Sequence, residues 1–226
     1  MIAEEQIHNN PKEINSSIPA GKTIGYIIEA FKSTTPYFKK HISQFTHKVL
    51  NEEELTQEFV NLLRRKTVDH PFLIGQEKKD IYHFSKGRSD FYFYWKEETA
   101  TTESFFDVEA KILTQKFIKN REKEYVIGNS KNGGIERYKI EKHGKGLSEC
   151  GMLGFIEKEN SNFWITKINT WIKDLSKLDI TWNRDEVVKE MENHAEFVYL
   201  NSVAHTISSS DILLHHFWIN NPVKSD

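Results

Sequence analysis

Cysteine is almost absent from this chain of 226 residues, since Cys150 is the one example. A single cysteine forms no internal disulfide and provides no thiolate cluster for zinc, which is typical of a reducing compartment. No apolar run approaches the 18 or so residues that a membrane span requires. The first residues also lack a basic stretch followed by an apolar one, so we expect no secretory signal. These absences predict a cytoplasmic protein without a membrane partner.

Net charge is also small, at −2, but it is unevenly distributed. The segment 111–146 contains ten lysines and arginines against four glutamates, a local charge of +6, so the remainder carries −8. A basic segment in an otherwise acidic protein is typical of a local phosphate-binding face. A solvated, lysine-rich loop explains the same charge pattern, and the charges alone do not decide between the two.

The composition, with 38% hydrophobic and 28% charged residues, indicates a globular chain rather than a disordered one. Residues 1–19 predict a polar arm, and helical spacing predicts a helix over 22–31. Thr34-Thr35-Pro36 predicts the start of another short helix, because proline suits the first turn. A stronger helix is predicted over 51–66, with Asn51 as its N-cap and three glutamates in its first turn.

Strand patterns dominate the rest of the chain. Strands are predicted over 72–74, 90–95, 104–113, 152–156, 197–200 and 212–219. Helices are predicted over 159–178, over 186–195 and at the start of 135–150, where Gly144 and Gly146 break the pattern. The polar turn between the second and third strands predicts a hairpin. We therefore expect one α/β domain with a mixed central sheet flanked by helices, in which an N-terminal helical arm (1–50) precedes a core (51–226).

The strand SFFDVEAKIL places Glu109 and Lys111 on one face, because side chains alternate along a strand. Antiparallel pairing in the hairpin brings Asp90, at the start of the preceding strand, close to both. Two carboxylates beside a lysine suit a hard divalent cation, which polarises a phosphoryl oxygen and lowers the pKa of a bound water. The lysine would orient that water or help to deprotonate it. The alternative is a surface salt bridge at the edge of the hairpin.

Ser-Asp90, followed after eighteen residues by Glu109-Ala110-Lys111, resembles the PD-(D/E)xK signature of restriction-endonuclease-like nucleases. The preceding helix NEEELTQEFVNLL is similar to the first core helix of that superfamily. The segment GGIERYKIEKHGKGLSECGMLGFI is similar to the helix and buried strand that follow the hairpin. The resemblance covers about residues 50–220 and implies an αβββαβ core. Ser89 stands where the signature has proline.

The resemblance implies that Asp90 and Glu109 bind Mg²⁺, for which Mn²⁺ can substitute, and that Lys111 is the catalytic lysine. It also implies a metal-binding glutamate on the first core helix. Glu52 shares the inward stripe of the predicted helix and is preferred, with Glu58 second. Arg137 and Lys131, in the basic segment, are the candidate DNA-binding residues.

The implied activity is Mg²⁺-dependent DNA endonuclease activity, in restriction or antiviral (anti-phage) defence. An RNA-directed nuclease would use the same residues. The alternative from another class is a non-catalytic nuclease fold that binds nucleic acid or a partner protein in a defence complex. Because net charge is low and no added DNA-reading module is evident, a homodimer or such a partner would supply specificity.

Overall fold

The computed structural model describes residues 20–84, 87–97, 101–114 and 122–220, with the side chains of all of these except Ala20 and Lys78. The predicted arm over 1–19 lies outside the described residues. The helices are α1 (Ala20–Ile42), α2 (Glu52–Lys66), α3 (Gly134–Lys139) and α4 (Ser161–Leu178). The strands are β1 (Phe72–Lys79), β2 (Arg88–Trp95), β3 (Ser104–Leu113), β4 (Glu149–Ile156), β5 (Lys189–Asn193), β6 (Phe197–His205) and β7 (Asp211–Asn220).

All seven strands form one mixed sheet, in the order β1-β2-β3-β4-β7-β6-β5. The β1–β2 and β2–β3 pairs are antiparallel, and so are β6–β7 and β5–β6, whereas β4 is parallel to both β3 and β7. A separate hydrophobic core covers each face, one with α1 and α2 and the other with α3 and α4. The prediction of an α/β domain with a mixed sheet flanked by helices is confirmed.

Helix α1 is continuous, so the predicted break before Pro36 is wrong. The Thr35 hydroxyl donates to the Phe31 carbonyl at 2.9 Å, and tertiary packing holds the helix on both sides of the proline. Phe31 and Phe38 are fully buried, and the Phe31 ring stacks on Phe217 with centroids 4.0 Å apart. Burial of two aromatic side chains outweighs the cost of an interior proline. Helix α1 therefore contributes to the same core as the sheet. No helix in the described ranges is long and apolar enough to cross a membrane.

Helix α2 begins where its capping residues predict. The Asn51 side chain accepts a hydrogen bond from the Glu54 N–H at 2.9 Å, and the Glu54 carboxylate accepts one from the Asn51 N–H at 3.0 Å. This reciprocal pair satisfies two backbone donors that would otherwise lack partners. Because the cap fixes the start of α2, Glu52 occupies the first helical position, from which the Glu52 side chain reaches the sheet.

Two of the later elements differ from the predictions. The helix at the start of 135–150 ends at Lys139, earlier than the break predicted at Gly144 and Gly146, whose φ angles are +63° and +81°. The helix predicted over 186–195 is wrong, because residues 189–193 form edge strand β5. Residues 189–193 form a strand because their backbone pairs with β6. Their side chains are mostly exposed, so the hydrophobic pattern of the sequence does not indicate a strand there.

The two adjacent histidines of β7 point to opposite faces, because side chains alternate along a strand. His215 binds Tyr199 and Glu149. His216 is fully buried, with Nδ1 2.8 Å from the Tyr125 hydroxyl and Nε2 2.8 Å from the Ser202 hydroxyl. Burial lowers the pKa of His216 to about 3.

This histidine makes stability depend on pH. In the unfolded chain this histidine takes up a proton near pH 6.5, whereas in the folded chain it stays neutral. Its contribution to the free energy of unfolding is therefore complete above pH 6.5 and is lost as the pH falls towards 3. We expect the free energy of unfolding to decrease by up to about 1.4 kcal/mol per pH unit from this group in that window. Urea titrations at several pH values should show a shallower slope for His216→Gln than for the wild type. The exposed-site control His194→Gln should keep the wild-type slope, and an equal slope in all three proteins would contradict the prediction.

Candidate active site

Strand β3 divides its side chains between two environments. Phe106, Val108 and Ala110 lie in the core under α1 and α2, as the alternation predicts. Glu109 and Lys111 are also buried, with 0% and 7% of their surface exposed. Because β3 lies between β2 and β4 rather than at a surface edge, the two charged residues are inside the fold. A surface salt bridge does not describe this arrangement.

The β2–β3 ladder ends at Phe91, the residue that follows Asp90, so Asp90 itself is unpaired with β3 in the ladder. The last Cα partners in that direction are Phe91 and Val108, and beyond them carboxylates replace the neighbouring strand. The Ala110 N–H donates to Asp90 Oδ2 at 2.6 Å, and the Ile112 N–H donates to Glu52 Oε2 at 2.9 Å. Buried backbone donors need partners, and here two acidic side chains supply them. Where the two strands separate, the carboxylates of Asp90 and Glu52 therefore bind the β3 backbone in place of a neighbouring strand.

Lys111 joins these carboxylates. Its ammonium donates to Glu109 Oε1 at 2.6 Å, to the Ala110 carbonyl at 2.8 Å and to Glu52 Oε1 at 3.2 Å. All three protons of the ammonium thus have acceptors. Burial acts to lower the pKa of Lys111, but the surrounding carboxylates, Glu109 foremost, raise it above its ordinary value. The side chain is therefore a cation at neutral pH.

Glu109 is the most enclosed of the three acids, and its two oxygens have different surroundings. Oε1 accepts from both Lys111 and Arg137. Oε2 lies 3.1 Å from His143 Nδ1, yet neither atom has a hydrogen-bond partner among the described residues. Burial acts to raise the pKa of Glu109, but the nearby positive charge, Lys111 foremost, lowers it to about 2. Glu109 is therefore ionised, with Lys111 and Arg137 at one oxygen and His143 beside the other.

Asp90 behaves in the opposite way. Burial, together with the negative charge of Glu109, raises the pKa of Asp90 to about 7, against the opposing effect of Lys111. A carboxyl group whose pKa is displaced this far lacks a sufficient compensating positive charge. Perturbed carboxyl groups of this kind are concentrated at functional sites.

The structure brings together Asp90, Glu109, Lys111, Glu52 and, through Glu109, Arg137. Of the two helical glutamates, Glu52 lies in this cluster, whereas Glu58 is 2.7 Å from His41 Nε2 on α1.

Lys131 is not part of this cluster. It is exposed, and its carbonyl accepts from Lys142 Nζ at 2.9 Å. The basic segment also has fewer available cations than its charge suggests, since Lys139 is buried against Glu186.

His143 is the site residue that sequence analysis missed. It is 2% exposed and lies in the turn between α3 and β4. No sequence motif links His143 to Glu109. The one sequence signal near it is the glycine that follows, Gly144, which allows a positive φ angle. Tertiary packing alone brings it to the carboxylate.

Comparison with protein-family models, with curated proteins and with solved structures gave no match.

Proposed function

We propose that this protein is a metal-dependent phosphodiesterase that cleaves DNA, with Asp90 and Glu109 as ligands of Mg²⁺ or Mn²⁺. The observation that carries the proposal is the buried Lys111 ammonium, held between the carboxylates of Glu109 and Glu52 at the point where β2 and β3 separate. Further support comes from the succession α2-β1-β2-β3-α3-β4, which follows the order of a restriction-endonuclease-like core. We assign the chain to restriction or anti-phage defence on the sequence resemblance alone.

Two features of the carboxylates fit a divalent ion. Glu109 Oε2 is a buried oxygen without a hydrogen-bond partner in the described part of the chain, and the raised pKa of Asp90 indicates a shortage of positive charge beside it. Within the described ranges, no group of three or more histidine, cysteine or acidic side chains is spaced to hold a metal. Two carboxylates are sufficient for Mg²⁺, which keeps several of its waters.

The ion, when bound, would polarise the scissile phosphate and supply a water of lowered pKa. Lys111 remains protonated, so its role is to stabilise negative charge with a fixed ammonium rather than to accept a proton. Glu52 fixes the position of that ammonium through its contacts with Lys111 and the Ile112 N–H. The Arg137 guanidinium, on α3 beside Glu109, is placed to bind a phosphate oxygen.

One observation favours a second candidate, a non-catalytic nuclease fold that binds nucleic acid or a partner protein. Lys111 and Arg137 together neutralise Glu109 without any metal, as a purely structural ion cluster would. A structural cluster of this kind predicts a protein that binds no divalent ion at the site. Metal binding therefore distinguishes the two candidates.

The test is cleavage of supercoiled plasmid, linear DNA, single-stranded DNA and RNA with Mg²⁺, Mn²⁺ or EDTA. We expect metal-dependent DNA cleavage by the wild type and its loss in Asp90→Asn, whose amide oxygen still accepts from the Ala110 N–H. Asp174→Asn, on the exposed side of α4, is the control and should cleave normally. Cleavage in EDTA, or undiminished cleavage by Asp90→Asn, would contradict the proposed function. A wild type that neither cleaves nor binds Mn²⁺ in calorimetry would support the non-catalytic candidate.

A further inference from the structure

Residues 80–84, which follow β1 and are here called the aromatic loop, expose three large apolar side chains. Ile81, Tyr82 and Phe84 have 63%, 36% and 82% of their surface exposed. Single apolar side chains at a surface are ordinary, but three within four residues form a patch, and such patches mark binding surfaces.

The aromatic loop is held in one shape by its own hydrogen bonds. Asp80 Oδ1 accepts from the Tyr82 N–H at 3.0 Å and from the His83 N–H at 2.9 Å. His83 Nε2 lies 2.7 Å from Glu103 Oε1, and the Tyr82 hydroxyl lies 3.0 Å from the Thr102 hydroxyl. The polar groups of the loop therefore bind the protein, whereas its apolar groups remain in solvent.

The loop lies beside the candidate site. A Cβ atom at Gly146 would lie 2.8 Å from His83 Cε1, so the histidine packs directly on this glycine. Gly146 is in the turn between α3 and β4, and His143 of the same turn is 3.1 Å from Glu109. The chain then enters β2 through Gly87, where a Cβ atom would lie 2.4 Å from His143 Cδ2. Both contacts place the loop next to the segment that covers Glu109.

Phe84 has a backbone conformation that a bulky side chain rarely adopts. Its φ angle is +55°, in the left-handed region. Because the ring is 82% exposed, burial does not offset the cost of this conformation. A ring that is held in solvent at such a cost is typical of a residue that serves a ligand rather than the fold.

Positive charge surrounds the aromatic loop. Lys79 and Arg88 are Cα partners in the last pair of the β1–β2 ladder, and both are exposed. Lys145, next to Gly146, is exposed as well. Proteins bind single-stranded nucleic acid by this combination, in which cations contact the phosphates and aromatic rings stack on the bases. A duplex hides the faces of its bases, so stacking of this kind favours unpaired bases.

We propose that the aromatic loop binds single-stranded DNA, with the Phe84 ring stacked on an unpaired base and with Lys79 and Arg88 at the phosphates. The inference rests on the proposed function for the reaction at the site, and it adds the strandedness of the substrate. The loop delivers a single strand to the carboxylates of Asp90 and Glu109.

The test measures DNA binding by the full chain in EDTA, so that cleavage does not interfere. Fluorescence anisotropy with a labelled oligothymidylate should show tighter binding by the wild type than with a duplex of the same length. Phe84→Gly should weaken binding of the oligothymidylate about 10-fold and change binding of the duplex much less. Phe84→Tyr, which keeps a ring, should bind as the wild type does. Tyr37→Leu is the matched control, since this exposed ring of α1 lies against Lys66, and it should leave binding unchanged.

Glycine adopts a positive φ angle without strain, so Phe84→Gly should remain folded, with a urea midpoint close to that of the wild type. Unchanged binding of the oligothymidylate by this variant, or equal binding of both DNAs by the wild type, would overturn the inference and leave the site able to cleave DNA. Tighter binding of the duplex that is lost in Phe84→Gly would also overturn it, since the ring would then insert between paired bases. Single-strand binding that depends on Phe84, in a protein that cleaves no DNA with Mg²⁺ or Mn²⁺, would support the loop's role and overturn the proposed function alone.

Discussion

Lys111→Met is expected to lower the rate of DNA cleavage by about 10²- to 10³-fold, the usual cost of removing one charge-stabilising donor from a reacting centre. Glu109, Glu52 and the Ala110 carbonyl bind all three protons of the ammonium. Its positive charge is therefore fixed in one position beside the carboxylates. Methionine preserves most of the side-chain volume and removes the charge. Single-turnover cleavage at saturating Mn²⁺ measures the chemical step directly.

The same substitution also removes a cation that neutralises a buried carboxylate, so stability must be measured beside activity. We expect Lys111→Met to unfold at lower urea concentration while remaining folded in assay buffer, because Arg137 still binds Glu109. Lys167→Met is the matched control, since Lys167, on α4, pairs with Glu122 and lies outside the site. Cleavage by folded Lys111→Met at the wild-type rate would exclude the catalytic role of this lysine.

Lys139→Met is expected to decrease the free energy of unfolding by about 3–5 kcal/mol, because it leaves a buried carboxylate without its cation. Lys139 and Glu186 form an ion pair with 3% and 0% of their side chains exposed. Lys139 also donates to the His205 carbonyl at 3.1 Å, and Glu186 accepts from the His205 N–H at 2.9 Å. The pair fastens α3, which carries Arg137, to the end of β6.

A double-mutant cycle in urea tests this pair. Glu186→Gln keeps an acceptor for the His205 N–H, so the double variant Lys139→Met/Glu186→Gln should be more stable than the sum of the single effects predicts. Lys177→Met provides the exposed comparison, since Lys177 and Asp174 are each more than half exposed, and should cost less than about 1 kcal/mol. Equal costs at positions 139 and 177 would contradict the assignment of a buried ion pair.

The part of the site that was predictable from the sequence is the part encoded by local periodicity. Strand alternation places Glu109 and Lys111 together, and the Asn51 cap determines where α2 begins and so where Glu52 lies. Loop closure of the hairpin then brings Asp90 to the same point. These relations involve neighbours in sequence or in one hairpin, so patterns reveal them.

The remainder depends on contacts between distant segments. His143 reaches Glu109 because the turn after α3 packs on Gly87, and no local pattern records that contact. The edge strand β5 was predicted as a helix because its side chains are mostly exposed and polar, so the sequence does not show that its backbone pairs with β6. Pro36 predicted a helix boundary, but burial of Phe31 and Phe38 overrode it. In each case tertiary structure outweighed local preference.

The separation of β2 from β3 has a consequence for self-association. Beyond Val108, the side of β3 that faces β2 has no ladder partner, and backbone N–H groups left without partners recruit strands from other molecules. Here the Ala110 and Ile112 N–H groups are already bound by the carboxylates of Asp90 and Glu52. A foreign strand would have to displace both of these carboxyl acceptors before it could pair with β3. The acidic residues that we assign to metal chemistry therefore also protect the opening against aggregation.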